Sequence, residues 1–372
     1  MLGRRQKKRW ASLELTTNEK YNDSIQAYAA GLAEAAVSQQ TDYCQKLKNY
    51  IETNLAWMEQ QIETGEGSEY WYQVRLALLQ LKGLEDGYNG RVAFPTGTFS
   101  ISPFGFLLFQ LGGDLEDLES AFNKSGNLGS GSCSAFIKLL PGNRDLLVSH
   151  DTWNNYQSML RILKKYNNQW MIVDYKLFIP GETTIQEGVF TVLEQIPGMV
   201  IADDKTKLLY EESYWASYNV PGLPQLVQKY GDWFTYEKNP RAQIFRRNHT
   251  LVRDLDSMIQ LMRFNNFPKD PLSRCQGCDP PQNGENAISA RSDLNPANGT
   301  YPFGALRQRP HGGTDMKVTS FEMAKLYSFV ATSGPTWDDL PAFQWSSSPY
   351  HNLLHMGHPD LWRFSPIQVH WG

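Results

Sequence analysis

The sequence has 372 residues, of which 41% are hydrophobic and 13% aromatic, enough apolar material for a large core and for two or three domains. The formal net charge of −4 provides no basic footprint, so nucleic acid is not an expected partner. No apolar run approaches the roughly 18 residues needed to span a bilayer, which predicts no transmembrane segment.

The first nine residues are polar and basic and contain no apolar core of the kind a signal peptide needs, so they do not form one as they stand. A solvated tail is favoured over a nuclear-localisation patch. Four Asn-X-Ser/Thr sequons point instead to the secretory pathway, although about three matches are expected by chance in a chain this rich in Asn. The predicted glycosylation sites are Asn22, Asn123, Asn248 and Asn298.

Residues 24–122 are predicted to be rich in helix, because apolar residues recur there at helical spacing. Ser24 is the expected N-cap of the first helix. Glycine and proline break the stretch from Val92 to Phe109 into short extended segments. The remaining predicted helices are Leu47–Ile62, Tyr70–Gly83 and Asp114–Phe122, and the segment 123–132, rich in Gly, Asn and Ser, is predicted to be a linker.

Two apolar runs after this linker, Ala135–Leu140 and Asp145–His150, flank Pro141-Gly142-Asn143-Arg144 and predict a β-hairpin. Helix is expected over Asn155–Tyr166 and a strand from Asn167 through Phe178. The later predicted elements are the strand pair Gly188–Gln195 and Met199–Asp203, helices over Lys207–Tyr218, Leu223–Tyr230, Leu251–Phe264 and Phe321–Thr332, a long loop over residues 266–313, and a final strand over Ile367–Trp371.

The hairpin places Cys133 at the start of one strand beside the end of its partner, so Cys133, His150 and Trp153 are expected to converge. If the bond between Ser132 and Cys133 is cut, Cys133 carries both a thiol nucleophile and an α-amine that can act as its base. The alternative interpretation is that Cys133 is a small buried apolar residue on a strand.

The other cysteines and histidines allow several structural interpretations. Cys275 and Cys278 could form half of a zinc site, a redox pair or a short disulfide, but no second pair completes a zinc site. His351 and His355 have helical i, i+4 spacing, yet Gly357 and Pro359 interrupt a helix and no carboxylate completes a known zinc motif. No metal or other cofactor is therefore predicted.

Long blocks of the sequence resemble the phospholipase B-like proteins. They are residues 129–142 (GSGSCSAFIKLLPG), 145–156 (DLLVSHDTWNNY), 167–176 (NNQWMIVDYK), 194–200 (EQIPGMV), 240–248 (PRAQIFRRN) and 283–299 (NGENAISARSDLNPANG). The resemblance extends over nearly the whole chain after Leu13. It implies an N-terminal-nucleophile hydrolase with an α+β fold, an αββα four-layer sandwich, internally shortened in this chain.

The resemblance also implies the site. Cleavage between Ser132 and Cys133 would divide the chain into a helix-rich N-terminal chain (1–122), a linker (123–132) and a nucleophile-bearing C-terminal chain (133–372), which together form one compact domain. His150 and Trp153 would shape the pocket. Similar amidases use Asn and Arg near the cysteine, so Asn167, Asn168 and Arg241 are candidate catalytic groups that stabilise the oxyanion; structural interpretations are a turn cap for each Asn and an ion pair with Glu237 for Arg241.

The function that the resemblance implies is hydrolysis of ester or amide bonds in acylated lipids, in the lysosome lumen or outside the cell, with the leader absent from this sequence. The alternative is a non-catalytic glycoprotein or lipid-binding protein that retains the fold. A homo-oligomer is a candidate assembly. The family forms a disulfide at Cys275 and Cys278, and a strand-rich segment of the family at the joint between Tyr166 and Asn167 is absent here, as is the partner of Cys44.

Overall fold

The computed structural model describes residues 11–16, 20–34, 45–65, 68–91, 101–102, 105–111, 133–167, 191–196, 199–218, 228 and 231–370. They form an α+β protein that divides into two compact units. The first unit contains the described residues within Ser12–Gly126 and Leu163–Ile185, and the second contains those within Asn127–Ile162 and Gln186–Gly372. The predicted linker 123–132 and the predicted helix Asp114–Phe122 lie outside the described residues.

The first unit is mainly helical, as its apolar spacing predicts. Two strands, β1 (Ala11–Thr16) and β4 (Ile162–Asn167), pair in a small sheet. Apolar residues of the helices form its core, and Tyr28 of the first helix donates a 2.6 Å hydrogen bond to Asp86 of the third. The helices are α1 (Asp23–Glu34), α2 (Gln45–Thr64), α3 (Glu69–Tyr88) and α4 (Phe106–Gln110).

Helix α1 begins two residues earlier than predicted, at Asp23. Asn22, not Ser24, accepts a hydrogen bond from the amide of Ile25 through its side chain, and Ser24 instead accepts one from Arg75. Helix α3 continues past Gly83, which is buried, to Tyr88. The predicted extended run ending at Phe109 is wrong at its end, where α4 forms over apolar residues that pack into the core.

The second unit is built on a six-stranded antiparallel sheet in the order β12-β9-β8-β3-β2-β7. The predicted hairpin is confirmed as the neighbouring strands β2 and β3, with β2 next to the edge strand β7. The strand pair predicted around Ile196 is also confirmed, as β5 and β6. The strands are β2 (Cys133–Leu139), β3 (Leu146–Asn155), β5 (Thr191–Ile196), β6 (Met199–Asp204), β7 (Tyr214–Ser217), β8 (His311–Ser320), β9 (Ser328–Ser333), β10 (Phe343–Gln344), β11 (Leu361–Trp362) and β12 (Ile367–His370).

Helices cover one face of this sheet. The described helices of the unit are α5 (Thr206–Glu212), α6 (Pro240–Asn248), α7 (Leu255–Met262) and α8 (Phe321–Lys325). Apolar residues of α6 and α7 form this cover. Phe136 of β2 stacks on Phe245 of α6, with 4.8 Å between ring centroids. Burial alternates along β2, since side chains of a strand point to opposite faces in turn. The residues of β2 that point away from the helices, Cys133 among them, are only half-buried.

Three predicted helices are wrong in whole or in part. The stretch Asn155–Tyr166 is the end of β3, a short 3₁₀ turn (Tyr156–Ser158) and β4. Likewise, β7 replaces the end of the helix predicted over Lys207–Tyr218, and β9 replaces most of the one over Phe321–Thr332. Strand β4 pairs with β1, β7 with β2, and β9 with β12 and β8, so strand pairing outweighed the local helical pattern. Helix α7 is confirmed but shorter than predicted.

The long loop over residues 266–313 is confirmed, with short 3₁₀ turns, up to the start of β8 at His311. Much of it is buried, because side-chain amides satisfy its backbone. Asn265 donates to the carbonyls of Gly284 and Ser289, and Asn295 accepts from the amide of Gly284. The loop therefore forms part of the interior and holds the carbonyl of Ile288 against the sheet.

Replacing Lys138 with Met should stabilise the protein. Lys138 of β2 is buried, and its ammonium donates a 2.5 Å hydrogen bond to Ser213 without a carboxylate partner among the described residues. Burial and Arg253 lower the pKa of Lys138, which marks a cost of keeping the charge inside. We expect a gain of about 1 kcal/mol, seen as a rise in melting temperature of roughly 2–4 °C.

The gain in stability from Lys138→Met should be largest at neutral and acidic pH. It should shrink as the pH rises toward the ordinary lysine pKa of 10.5, where the unfolded state also loses the proton. Lys269→Met, at an exposed position, is the matched control. A lower melting temperature of Lys138→Met than of this control would contradict the prediction.

Candidate active site around Cys133

Cys133 is the first residue of β2, directly opposite Thr152 of β3. Its thiol is half-buried, and it is the free cysteine among the described residues. Thr152 in turn lies opposite Asp315 of β8, so these three residues form one row across the sheet. The next row contains Ala135, His150 and Lys317. We call the face that carries these two rows the polar face.

The structure brings Trp153 to Cys133 through the backbone: the amide of Trp153 donates a hydrogen bond to the thiol. The indole of Trp153 is buried and donates to the carboxylate of Asp151 and to the carbonyl of Ile288, at 3.0 and 3.1 Å. The register between β3 and β8 shifts after Thr152, which is where a β-bulge re-aims the following side chain.

His150 lies two residues from Thr152, in the row next to Cys133. Its Nδ1 atom is 3.3 Å from the Thr152 hydroxyl. Burial lowers the pKa of His150, and Lys317 and Arg161 lower it further while Asp315 opposes them. The neutral imidazole is therefore favoured, so His150 contributes a polar wall and not a fixed positive charge.

Arg241 lies beneath Cys133 and is 1% exposed. Its guanidinium donates hydrogen bonds to the carbonyl of Cys133 at 2.8 Å and to the carbonyl of Tyr218 at 2.6 Å. It also stacks on Trp153, with Cζ 4.2 Å from the ring centroid. Burial lowers the pKa of Arg241 to about 10, so the group remains charged at neutral pH. The carboxylate of Glu237, an alternative partner in the sequence, pairs with Arg246 instead.

Local sequence explains this position of Arg241. Asn239 caps helix α6 by accepting a hydrogen bond from the amide of Arg241, and Pro240 occupies the first turn. The helix therefore starts beside the end of β2 that carries Cys133. The sequence indicated Arg241 as a candidate site residue, and the Asn239 cap sets where its helix begins.

A network of charged groups on the polar face was not identified from the sequence. The guanidinium of Arg161 donates to Asp315 at 2.5 Å and to Thr314 at 2.6 Å. The ammonium of Lys317 donates to Asp315 and, at 2.7 Å, to the hydroxyl of Thr152. One sequence feature could have indicated this network. Asp315, Lys317 and Thr319 alternate along the strand after Gly312-Gly313, which places their polar side chains on one face.

The thiol of Cys133 is in an environment that favours its protonated form. Burial raises its pKa, and the carboxylates of Asp151 and Asp315 add to that effect. The amide of Trp153 and the ammonium of Lys317 act in the opposite direction. Burial also raises the pKa of Asp151 well above its ordinary value, which favours the neutral acid. An internal Cys133 is therefore a weak nucleophile, because the thiolate is the reactive form.

The remaining predicted site residues are distributed as follows. Asn167 is the last residue of β4, in the first unit, whereas Asn168, Ser132 and the sequon at Asn123 lie outside the described residues, as does Cys44. Of the other sequons, Asn22 and Asn298 are exposed and Asn248 is half-buried. The disulfide between Cys275 and Cys278 is confirmed.

No helix in the described part of the chain is both long and apolar enough to cross a membrane. His311 starts strand β8 and is not the loop residue expected from the sequence. Burial lowers its pKa to about 4. The structure therefore places this imidazole in the interior, beside Glu285 at 3.9 Å.

Comparison with known proteins defines the class to which this α+β chain belongs. A sequence model of the phospholipase B family matches residues 4–167 and 165–369. "Putative phospholipase B-like 2" of Homo sapiens is 49% identical, covering 97% of this chain and 83% of its own length. "Putative phospholipase B-like 1" of Caenorhabditis elegans is 35% identical, with 97% and 85% covered, and "Phospholipase B-like protein B" of Dictyostelium discoideum is 30% identical, with 95% and 82% covered.

The chain belongs to the phospholipase B-like family. The match to the human relative extends over 491 aligned positions, more than the 372 residues of this chain, so over a hundred positions have no counterpart here. The two segments of the family match meet at residues 165–167. This agrees with an internal segment missing at the joint between Tyr166 and Asn167.

Alkylation of Cys133 should report the electrostatics of the polar face. With the peptide bond before Cys133 intact and Cys44 replaced by Ser, its reaction with iodoacetamide should be slow at neutral pH and should accelerate above the ordinary thiol pKa of 9.0, since its pKa is raised. Lys317→Gln removes a charge that favours the thiolate, so the rate at a given pH should fall by about 1.5- to 5-fold, as expected for a partly exposed charge.

Lys325→Gln, an exposed change on α8, is the control for this measurement. A rate that increases in Lys317→Gln would show that the ammonium does not act on the thiol in this way.

Proposed function

We propose that this protein is a hydrolase of acylated lipids that uses Cys133, exposed as an N-terminal residue by autoproteolysis, as its nucleophile. The observation that carries the proposal is the arrangement at the start of β2. The Cys133 carbonyl is fixed by a buried arginine, while its half-buried thiol faces a row of polar groups. Membership of the phospholipase B-like family supports lipid hydrolysis. The human relative that carries this family name matches 97% of the chain.

Scission would begin with addition of the Cys133 thiol to the carbonyl carbon of Ser132. The acyl group moves from nitrogen to sulfur, and water then cleaves the thioester, which leaves a carboxylate on Ser132 and a free amine on Cys133. That amine has an ordinary pKa near 8 and can accept the thiol proton, which the amide nitrogen of the uncut chain cannot do. Scission would therefore supply a base for the thiol, whose raised pKa favours the protonated form in the uncut chain.

Hydrolysis would follow the same chemistry on a substrate. The thiolate adds to an ester or amide carbonyl, the α-ammonium returns its proton to the leaving oxygen or nitrogen, and water releases the acyl group from sulfur. His150 would line the pocket, and the buried indole of Trp153 would support the site from beneath. Asn167 and Asn168 are proposed donors to the oxyanion. Arg241 would act by holding the main chain of Cys133, because its guanidinium already donates to the carbonyls of Cys133 and Tyr218 and to the hydroxyl of Ser134.

The fold proposed for the complete domain is the αββα four-layer sandwich. One sheet with helices on one face supplies two of these layers. A second sheet would pack on the side of this sheet that the helices leave uncovered, beside the two rows of the polar face and not over them. We further propose a lysosomal or secreted location, consistent with the exposed sequons at Asn22 and Asn298 and with the disulfide between Cys275 and Cys278.

A second candidate function is a lipid-binding glycoprotein without catalysis. The positions missing relative to the human protein favour it, because removal of strands from a second sheet would leave the pocket incomplete. The two functions differ in one respect that experiment can address: a hydrolase of this type requires the chain to be cut before Cys133.

Mass spectrometry of the expressed protein should show two fragments that meet at Ser132 and Cys133. Cys133→Ala should abolish the cleavage because it removes the attacking sulfur, whereas Cys44→Ala, the matched control, should leave it unchanged. If the intact wild-type chain hydrolyses acyl lipids with that bond unbroken, the proposed mechanism is wrong. If the chain is neither cut nor active, the result favours the lipid-binding function.

A thiol-reactive acyl probe should label Cys133 in the processed protein, since a free α-amine activates that thiol. Peptide mapping gives the site of labelling, and the Cys133→Ala chain measures background reaction at Cys44. Labelling of Cys44 in preference to Cys133 would contradict the assignment of the nucleophile.

A further inference from the structure

We propose that Lys317 and Arg161 form a subsite for a phosphate group beside Cys133. The subsite rests on the proposed function in one respect, since it assigns the phosphate to the acylated substrate of that same site. It names two residues that recognise the substrate and predicts a preference for acyl compounds that carry a phosphate monoester or diester over uncharged ones.

The first observation is the position of Lys317 and Asp315 relative to Cys133. Thr152 lies opposite Cys133 and accepts a 2.7 Å hydrogen bond from Lys317. Asp315, which holds both cations, lies opposite Thr152. Neighbouring strands are about 4.8 Å apart, so the backbone of Asp315 is on the order of 10 Å from that of Cys133. In a glycerophospholipid a short glycerol bridge separates the ester carbonyl from the phosphate, and this spacing suits such a molecule.

The second observation is the number of free donors. Within the part of the chain that the structure describes, Lys317 donates two of its three N–H groups, to Thr152 and Asp315. Toward the same described residues, Arg161 donates two of its five, to Asp315 and Thr314. Their side chains are 33% and 22% exposed, so the remaining donors can reach a ligand. Guanidinium and ammonium groups held in this way match the geometry of phosphate oxygens.

The third observation is charge. Asp315 is a single carboxylate between two cations, which leaves one positive charge uncompensated within this cluster. The neighbouring groups do not cancel it. Asp151 beneath favours its neutral form because burial raises its pKa, and His150 favours the neutral imidazole. An anion placed here would accept hydrogen bonds from the donors that Asp315, Thr152 and Thr314 leave unused.

The experiment measures binding of ether-linked ligands, which cannot be hydrolysed, to the protein as purified. The probes are 1,2-di-O-hexylglycerol 3-phosphate, uncharged 1,2-di-O-hexylglycerol and inorganic phosphate, each below its aggregation concentration. The phosphorylated ether should bind about tenfold or more tightly than the uncharged one, the effect of one charge-assisted hydrogen bond. Lys317→Gln with Arg161→Gln should remove this preference, and Lys317→Arg with Arg161→Lys should retain most of it.

Lys269→Gln, an exposed change elsewhere in the same unit, is the matched control, and the melting temperature of each variant verifies that it is folded. Competition by inorganic phosphate as strong as by the ether would keep the subsite but assign it to free phosphate. Equal binding of the two ethers, or a preference that survives the double Gln change, would overturn the proposal. Because the ethers carry no acyl bond, this result is independent of whether the protein hydrolyses lipids.

Discussion

The buried guanidinium of Arg241 is the interaction on which the candidate site depends. It fixes the carbonyl of Cys133 and that of Tyr218, and it stacks on the indole of Trp153. A charged group in the interior is costly unless hydrogen bonds replace its hydration, and here two carbonyls and an aromatic ring do so. The first residue of β2 is thereby tied to helix α6 through its carbonyl.

A second layer of buried polar groups supports this arrangement. The carbonyl of Ile288, in the loop before β8, accepts hydrogen bonds from Ser134 and from the indole of Trp153. The backbone of that loop is hydrogen-bonded by buried side-chain amides such as those of Asn265 and Asn295. Residues more than 150 positions apart in sequence therefore determine how Cys133 is presented.

The two faces of the sheet have different roles. The helix-covered face supplies stability through packing of Phe136 against α6, while the polar face carries Cys133, Thr152, Asp315 and Lys317. An internal cysteine at this position has a raised pKa, so its chemistry requires either a base or a change in its own backbone nitrogen. The proposed scission supplies that base from the nucleophilic residue itself, and the cations of the polar face are available to bind the substrate.

The sequence by itself determined the local features of this protein. Glycine, proline and asparagine at a turn between two apolar runs predicted the β2–β3 hairpin, and a hairpin must place Cys133 near the end of β3. Helical spacing predicted α2, α3 and α7. Only the tertiary structure decided the rest. Asn155–Tyr166 became strand and turn because distant partners were available, and Arg161, Asp315 and Lys317 met beside Thr152 through pairing of β3 with β8. Contacts of this kind depend on strand order and register, which a periodic pattern does not encode.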